Sequence, residues 1–68
     1  MITVVSNVQY NLEEVINSFE KRWNEKFILS SRESQCKLFE ELVFGQQVSP
    51  QDAQKIVDTI VSNKRLFQ

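Results

Sequence analysis

Met1-Ile2-Thr3-Val4-Val5-Ser6-Asn7-Val8-Gln9-Tyr10-Asn11-Leu12 opens the chain, and none of these twelve side chains carries a charge. Ile2, Val4, Val8 and Tyr10 fall on one side of a period-two alternation, with Thr3, Val5, Asn7 and Gln9 on the other, and this pattern predicts one β-strand over about 2–9. Every later periodicity is helical, so the strand has no second strand in the sequence to pair with. A lone strand leaves N–H and C=O groups unsatisfied along both edges. The expectation is that Met1 to Gln9 pairs between chains, with a second copy or with a target protein, and that Ile2, Val4 and Val8 supply the face buried against the helices while Thr3, Asn7 and Gln9 remain nearer solvent. Val5 then lies near the centre of the paired ribbon.

Three helices follow, predicted at about 12–27, 32–44 and 50–65. Asn11 and Glu14 make a capping-box pattern for the first, with Tyr10 and Val15 placed as a hydrophobic staple. Leu12, Val15, Ile16, Phe19, Trp23 and Phe27 recur at three- and four-residue spacing as one stripe, which places Trp23 in the core. Ser30 or Ser31 caps the second helix, whose inward face is read as Cys36, Phe39, Leu42 and Val43, with Leu38 at its margin. Gly45, the only glycine, is read as a left-handed terminator. Ser49-Pro50-Gln51-Asp52 announces the third helix, and Ala53, Ile56, Val57, Ile60 and Val61 supply its apolar face. The fold class is therefore mainly α: a short N-terminal strand and three helices around one small core.

Sixty-eight residues make a single domain spanning 1–68. A chain of this size buries only roughly 60% of its unfolded surface, so small domains often gain stability from disulfides, metals or association. Cys36 is the only cysteine and histidine is absent, which leaves association. The same inventory argues against an enzyme, a cofactor or a metal centre. No imidazole is present to activate a nucleophile, and one glycine cannot build a phosphate-cradling loop. Glu13-Glu14 and Glu40-Glu41 are adjacent on helices and point about 100° apart, so neither pair shares a site.

Eight Lys and Arg against nine Asp and Glu give a net charge of −1, not the basic footprint of a nucleic-acid binder. No stretch approaches the roughly 20 apolar residues of a membrane span. The start of the chain lacks a signal peptide's basic region, and a lone cysteine suits a reducing compartment, so a cytoplasmic location is expected.

Phe44 and Leu66 fall off the main stripes of their helices, and Phe67 stands beside Leu66 near the end of the third. These three residues, with Ile2, Val4, Val5 and Val8, are the candidate partner-binding residues. The function expected is a non-enzymatic intracellular protein-binding module, a small regulator, inhibitor or adaptor, acting as a homodimer or on a target protein.

The alternative is a small dimeric DNA-binding transcriptional regulator. Val48-Ser49-Pro50-Gln51-Asp52-Ala53-Gln54-Lys55-Ile56-Val57 resembles the start of a recognition helix in helix-turn-helix repressors. The strand-helix-helix order is similar to that of ribbon-helix-helix dimers. Gly45 stands too far before Val48 for the compact turn, Asp52 and Asp58 oppose phosphate approach, and the strand has no Lys or Arg. These features disfavour nucleic acid.

Overall fold

The computed structural model describes residues 1–63. Its elements run β1 (Ile2–Val5), β2 (Val8–Asn11), α1 (Leu12–Trp23), α2 (Arg32–Glu40), a single π-helical turn (Glu41–Gly45) and α3 (Pro50–Ser62). The fold is mainly α with short N-terminal strands, as the periodicity predicts. No helix among the described residues is long and apolar enough to cross a membrane.

The predicted single strand is a hairpin. β1 pairs antiparallel with β2, in the register Ile2↔Asn11, Thr3↔Tyr10, Val4↔Gln9, Val5↔Val8. Ser6 and Asn7 make the turn, with φ of 51° and 65°. Positive φ at both central residues is the requirement of a type I′ turn, whose twist matches that of the flanking strands. Asn tolerates this region because its short side chain can bond locally, and Ser forms such turns more weakly. The strand partner expected from another chain is thus supplied by residues 8–11 of the same one.

The two-residue turn also changes the facing of the side chains. Opposed residues share a face, so Thr3, Val5, Val8 and Tyr10 lie on one side and Ile2, Val4, Gln9 and Asn11 on the other. Val5 is buried and Thr3 and Tyr10 half-buried, which identifies the first set as the face toward the helices. In a continuous strand Val4 and Val8 would share a face; across the turn they do not.

α1 begins where predicted. Asn11 Oδ1 accepts from Glu13 N (3.1 Å) and Glu14 N (3.4 Å). The helix ends at Trp23 rather than at residue 27, because Asn24 adopts the left-handed conformation (φ 54°, ψ 43°) that closes helices. Phe27 reaches the core from the connecting segment instead. Its ring meets Phe19 edge-on at 5.8 Å, and its N–H donates to Glu20 Oε2 at 2.8 Å.

Ser31 caps α2, accepting from Ser34 N at 3.2 Å. The buried residues of α2 and the following turn are Ser34, Leu38, Glu41 and Leu42, and Cys36 is exposed, not buried. Two polar residues on the inward face hide the stripe from a hydrophobic pattern. Both are satisfied: Ser34 Oγ accepts from Ile28 N (3.2 Å), and Glu41 pairs with Arg22 at 3.5 Å. Gly45 has no positive φ; that conformation belongs to Gln47 (φ 57°). What Gly45 provides is space. A Cβ there would stand 2.8 Å from Glu41 Oε2, because the buried carboxylate lies against its Cα.

α3 follows its prediction closely at its start. Ser49 Oγ accepts from Asp52 N (3.3 Å), Pro50 leads the helix, and Ala53, Ile56, Val57 and Ile60 are buried. The core is one cluster in which Phe19, Leu12, Leu38, Leu42, Ile56 and Ile60 are fully buried. Each such side chain stabilises the fold by about 1.5–3 kcal/mol relative to exposure.

Candidate functional site

The hairpin lies along α3 and is fastened to it at both ends. Ser6 Oγ donates to Asp52 Oδ1 (2.8 Å) in the first turn of α3, and the Asn63 side-chain amide donates to Met1 Sδ just beyond its last. Thr3 and Val5 therefore turn inward, and Ile2 and Val4, each 61% exposed, stand on the outer face. Val8 is on the inward side by register yet 49% exposed beside the turn. Val5, expected at the partner-binding ribbon, is a core residue at 6% exposure.

Backbone geometry gives β1 an open edge. Leu12 N donates to Met1 O at 2.9 Å, extending the ladder by one bonded pair. Bonded and non-bonded pairs alternate in an antiparallel ladder, so the bonded pairs are Met1/Leu12, Thr3/Tyr10 and Val5/Val8. The N–H and C=O groups of Ile2 and Val4 consequently point away from β2. Among the described residues no further hydrogen bond reaches them. On the opposite edge the corresponding residues are Gln9 and Asn11, beside a cavity also lined by Glu14 and Gln46.

A second exposed apolar feature sits on the π turn. Phe44 is 80% exposed and forms a ridge between two grooves. One groove, of about 440 Å³, lies between α2 and α3 and is lined by Cys36, Phe39, Gln54 and Val57. The other, of about 340 Å³, is lined by Arg22, Trp23, Glu41 and Gly45. Glu40 borders both. The π turn positions Phe44: Gln46 N reaches back five residues to Glu41 O (3.2 Å), and single π turns of this kind recur at functional sites. Phe39 and Val57 were legible only as core positions; their part in the groove depends on the packing of α2 against α3. Ile28, 55% exposed, is a further apolar surface residue that the helical pattern does not single out. Leu66 and Phe67 lie outside the described residues.

Lys37 Nζ donates to Glu25 (2.8 Å) and Glu33 (3.2 Å) and stands 5.7 Å from the centroid of the Trp23 ring. The hydrogen bond to Glu25, then that to Glu33, raises the Lys37 pKa above the ordinary lysine value. Among the described residues no group of three or more Cys, Asp or Glu side chains is arranged to hold a metal ion.

No protein-family model matches the chain, and no curated protein or solved structure is significantly similar to it.

Proposed function

We propose that the protein is a non-enzymatic, cytoplasmic protein-binding module, a small regulator, inhibitor or adaptor, whose contact surface is the outer face and open edge of β1. The observation that carries this reading is the pairing of two properties at Ile2 and Val4. Their β-branched side chains are solvent-exposed, and their backbone donors and acceptors face outward on a strand edge without charged side chains. Proteins usually protect such edges with Lys, Pro or a covering element, because an extended segment of another chain can add to them as a further strand. Phe44 supplies a separate apolar contact, since aromatic side chains are favoured at interfaces.

The test is retention of a host protein by the immobilised chain, compared between wild type and the Ile2→Lys/Val4→Lys double variant. Both positions are exposed, so the variant is expected to keep its circular dichroism spectrum and lose the retained protein. Unchanged retention by the folded double variant overturns the reading. Salt-sensitive retention on duplex DNA would favour nucleic acid instead.

A further inference from the structure

We infer that the open edge of β1 takes the β1 edge of a second copy of this chain, giving a four-stranded antiparallel sheet with the order β2-β1-β1-β2 across a two-fold axis. This rests on the proposed use of β1 as a contact surface and names one occupant for it.

The register of the hairpin makes the edge self-complementary. The outward-facing backbone groups belong to Ile2 and Val4, with Thr3 between them. If the two-fold axis passes beside Thr3, Ile2 of each chain lies opposite Val4 of the other, and each opposed pair exchanges two N–H···O=C bonds. All four outward donors and acceptors on each strand are then used, and none is left over. Thr3 faces Thr3 of the second copy as a non-bonded pair, an arrangement in which threonines stabilise one another. On the outer face Ile2 and Val4 of both chains become one apolar cluster. An isologous contact closes after two copies, so it consumes the edge rather than propagating a fibre.

Two further observations favour this edge over that of β2. Like charges disfavour self-association: the hairpin presents no charged side chain at β1, where the Met1 α-ammonium is paired with Glu13 (3.3 Å), whereas Glu14 lies close to the β2 edge. The β1 strand is also held extended before any partner arrives, by its ladder with β2 and by the Ser6 to Asp52 hydrogen bond at the turn. Preorganisation of this kind removes part of the ordering cost of association. Pairing of a four-residue strand buries less than the ~1,000 Å² of a stable interface, so the dimer is expected to be concentration-dependent.

Sedimentation equilibrium from micromolar to millimolar protein should show the mass rising from one chain toward two. Val4→Pro is the informative variant. The Val4 N–H does not bond to β2, so proline removes an intermolecular donor while sparing the hairpin ladder, and edge strands tolerate proline in that orientation. Val4→Pro should remain monomeric with unchanged helix content, and Gln9→Pro, the matched lesion on the β2 edge, should still dimerise. Should Val4→Pro unfold, amide exchange of the wild-type chain decides the point. The Ile2 and Val4 amides should slow several-fold with rising concentration while that of Gln9 does not. A wild-type monomer at millimolar concentration, or a folded Val4→Pro that still dimerises, overturns the self-pairing. In that event loss of a retained host protein by Ile2→Lys/Val4→Lys would still sustain the broader protein-binding reading, and the two failures are distinguishable.

Discussion

Ser6 Oγ donates to Asp52 Oδ1 at 2.8 Å across 46 positions of sequence, so the turn of the hairpin is bonded to the first turn of α3. The contact joins the two ends of the sequence pattern. The Asp52 N–H donates to the capping Ser49 Oγ, leaving the Asp52 carboxylate available to the hairpin.

Removing this bond should have a small, specific cost. Ser6→Ala loses the hydroxyl and also places a less tolerant residue at φ 51°, so a destabilisation of about 1–2 kcal/mol is expected. Ser6→Gly loses the same bond but relieves the backbone, and should cost less than Ser6→Ala. Urea denaturation of Ser6→Ala, Asp52→Asn and the double variant measures the coupling. Additive effects would show that the bond contributes nothing.

The helices were legible because each carries local chemistry that acts alone. Asn11, Ser31 and Ser49 cap as their positions suggest, and Leu12, Val15, Ile16 and Phe19 of α1 and Ala53, Ile56, Val57 and Ile60 of α3 are buried as spaced, with Trp23 and Val61 half-buried. The hairpin was not legible. Ser6-Asn7 contains neither Gly nor Pro, and the uncharged alternation runs through it, so two strands resemble one. The inward face of α2 escaped for a different reason. Ser34 and Glu41 lie on it because particular partners, Ile28 N and Arg22, satisfy them, and those partners are brought close only by the tertiary fold. Of the candidate surface, Ile2, Val4, Val8 and Phe44 are exposed, although the single-strand alternation turns Ile2, Val4 and Val8 toward the helices. Val8 and Tyr10 changed sides relative to Ile2 and Val4 because the turn reset the alternation, which leaves Val5 on the inward face.

Phe19 and Trp23 should separate in their contributions, although the α1 pattern treats them alike. Phe19 is fully buried and contacts both Trp23 (5.9 Å, stacked) and Phe27. Phe19→Ala is expected to cost about 3–5 kcal/mol, enough to unfold much of a small domain. Trp23 is only half-buried and covers the core from outside, with Lys37 above it. Trp23→Ala should cost clearly less, and the variant should remain folded by circular dichroism.

Lys37 is expected to make the stability of the fold fall at alkaline pH. Its pKa is raised in the folded state by Glu25 and Glu33 relative to the ordinary value of 10.5. A group whose folded pKa lies above its unfolded one stabilises fully below the unfolded value, and that contribution is lost as pH rises through the folded value. Melting temperature should therefore fall more on the alkaline side of the ordinary lysine pKa for wild type than for Lys37→Met. Parallel curves for the two proteins would show that the cluster does not contribute to stability.

Gly45→Ala tests the π turn through the sign of its effect. At an ordinary helical position without positive φ, replacing glycine by alanine stabilises by about 0.4–1 kcal/mol, mainly by restricting the unfolded chain. Gly45 has no positive φ, so backbone conformation alone predicts stabilisation. Packing predicts the opposite. The added Cβ would stand 2.8 Å from Oε2 and 3.0 Å from Cδ of Glu41, closer than these atoms can approach. A carboxylate at the end of an exposed chain would swing aside, but Glu41 is buried and paired with Arg22. Displacing it either breaks that pair or forces the π turn to shift, and overpacking of this kind costs typically ~1–3 kcal/mol. Gly45→Ala is therefore expected to lower the urea midpoint. In a Glu41→Ala background the obstruction is gone, so the same substitution should become neutral or stabilising. If Gly45→Ala stabilises the wild-type chain, the carboxylate does not lie against Gly45 as described.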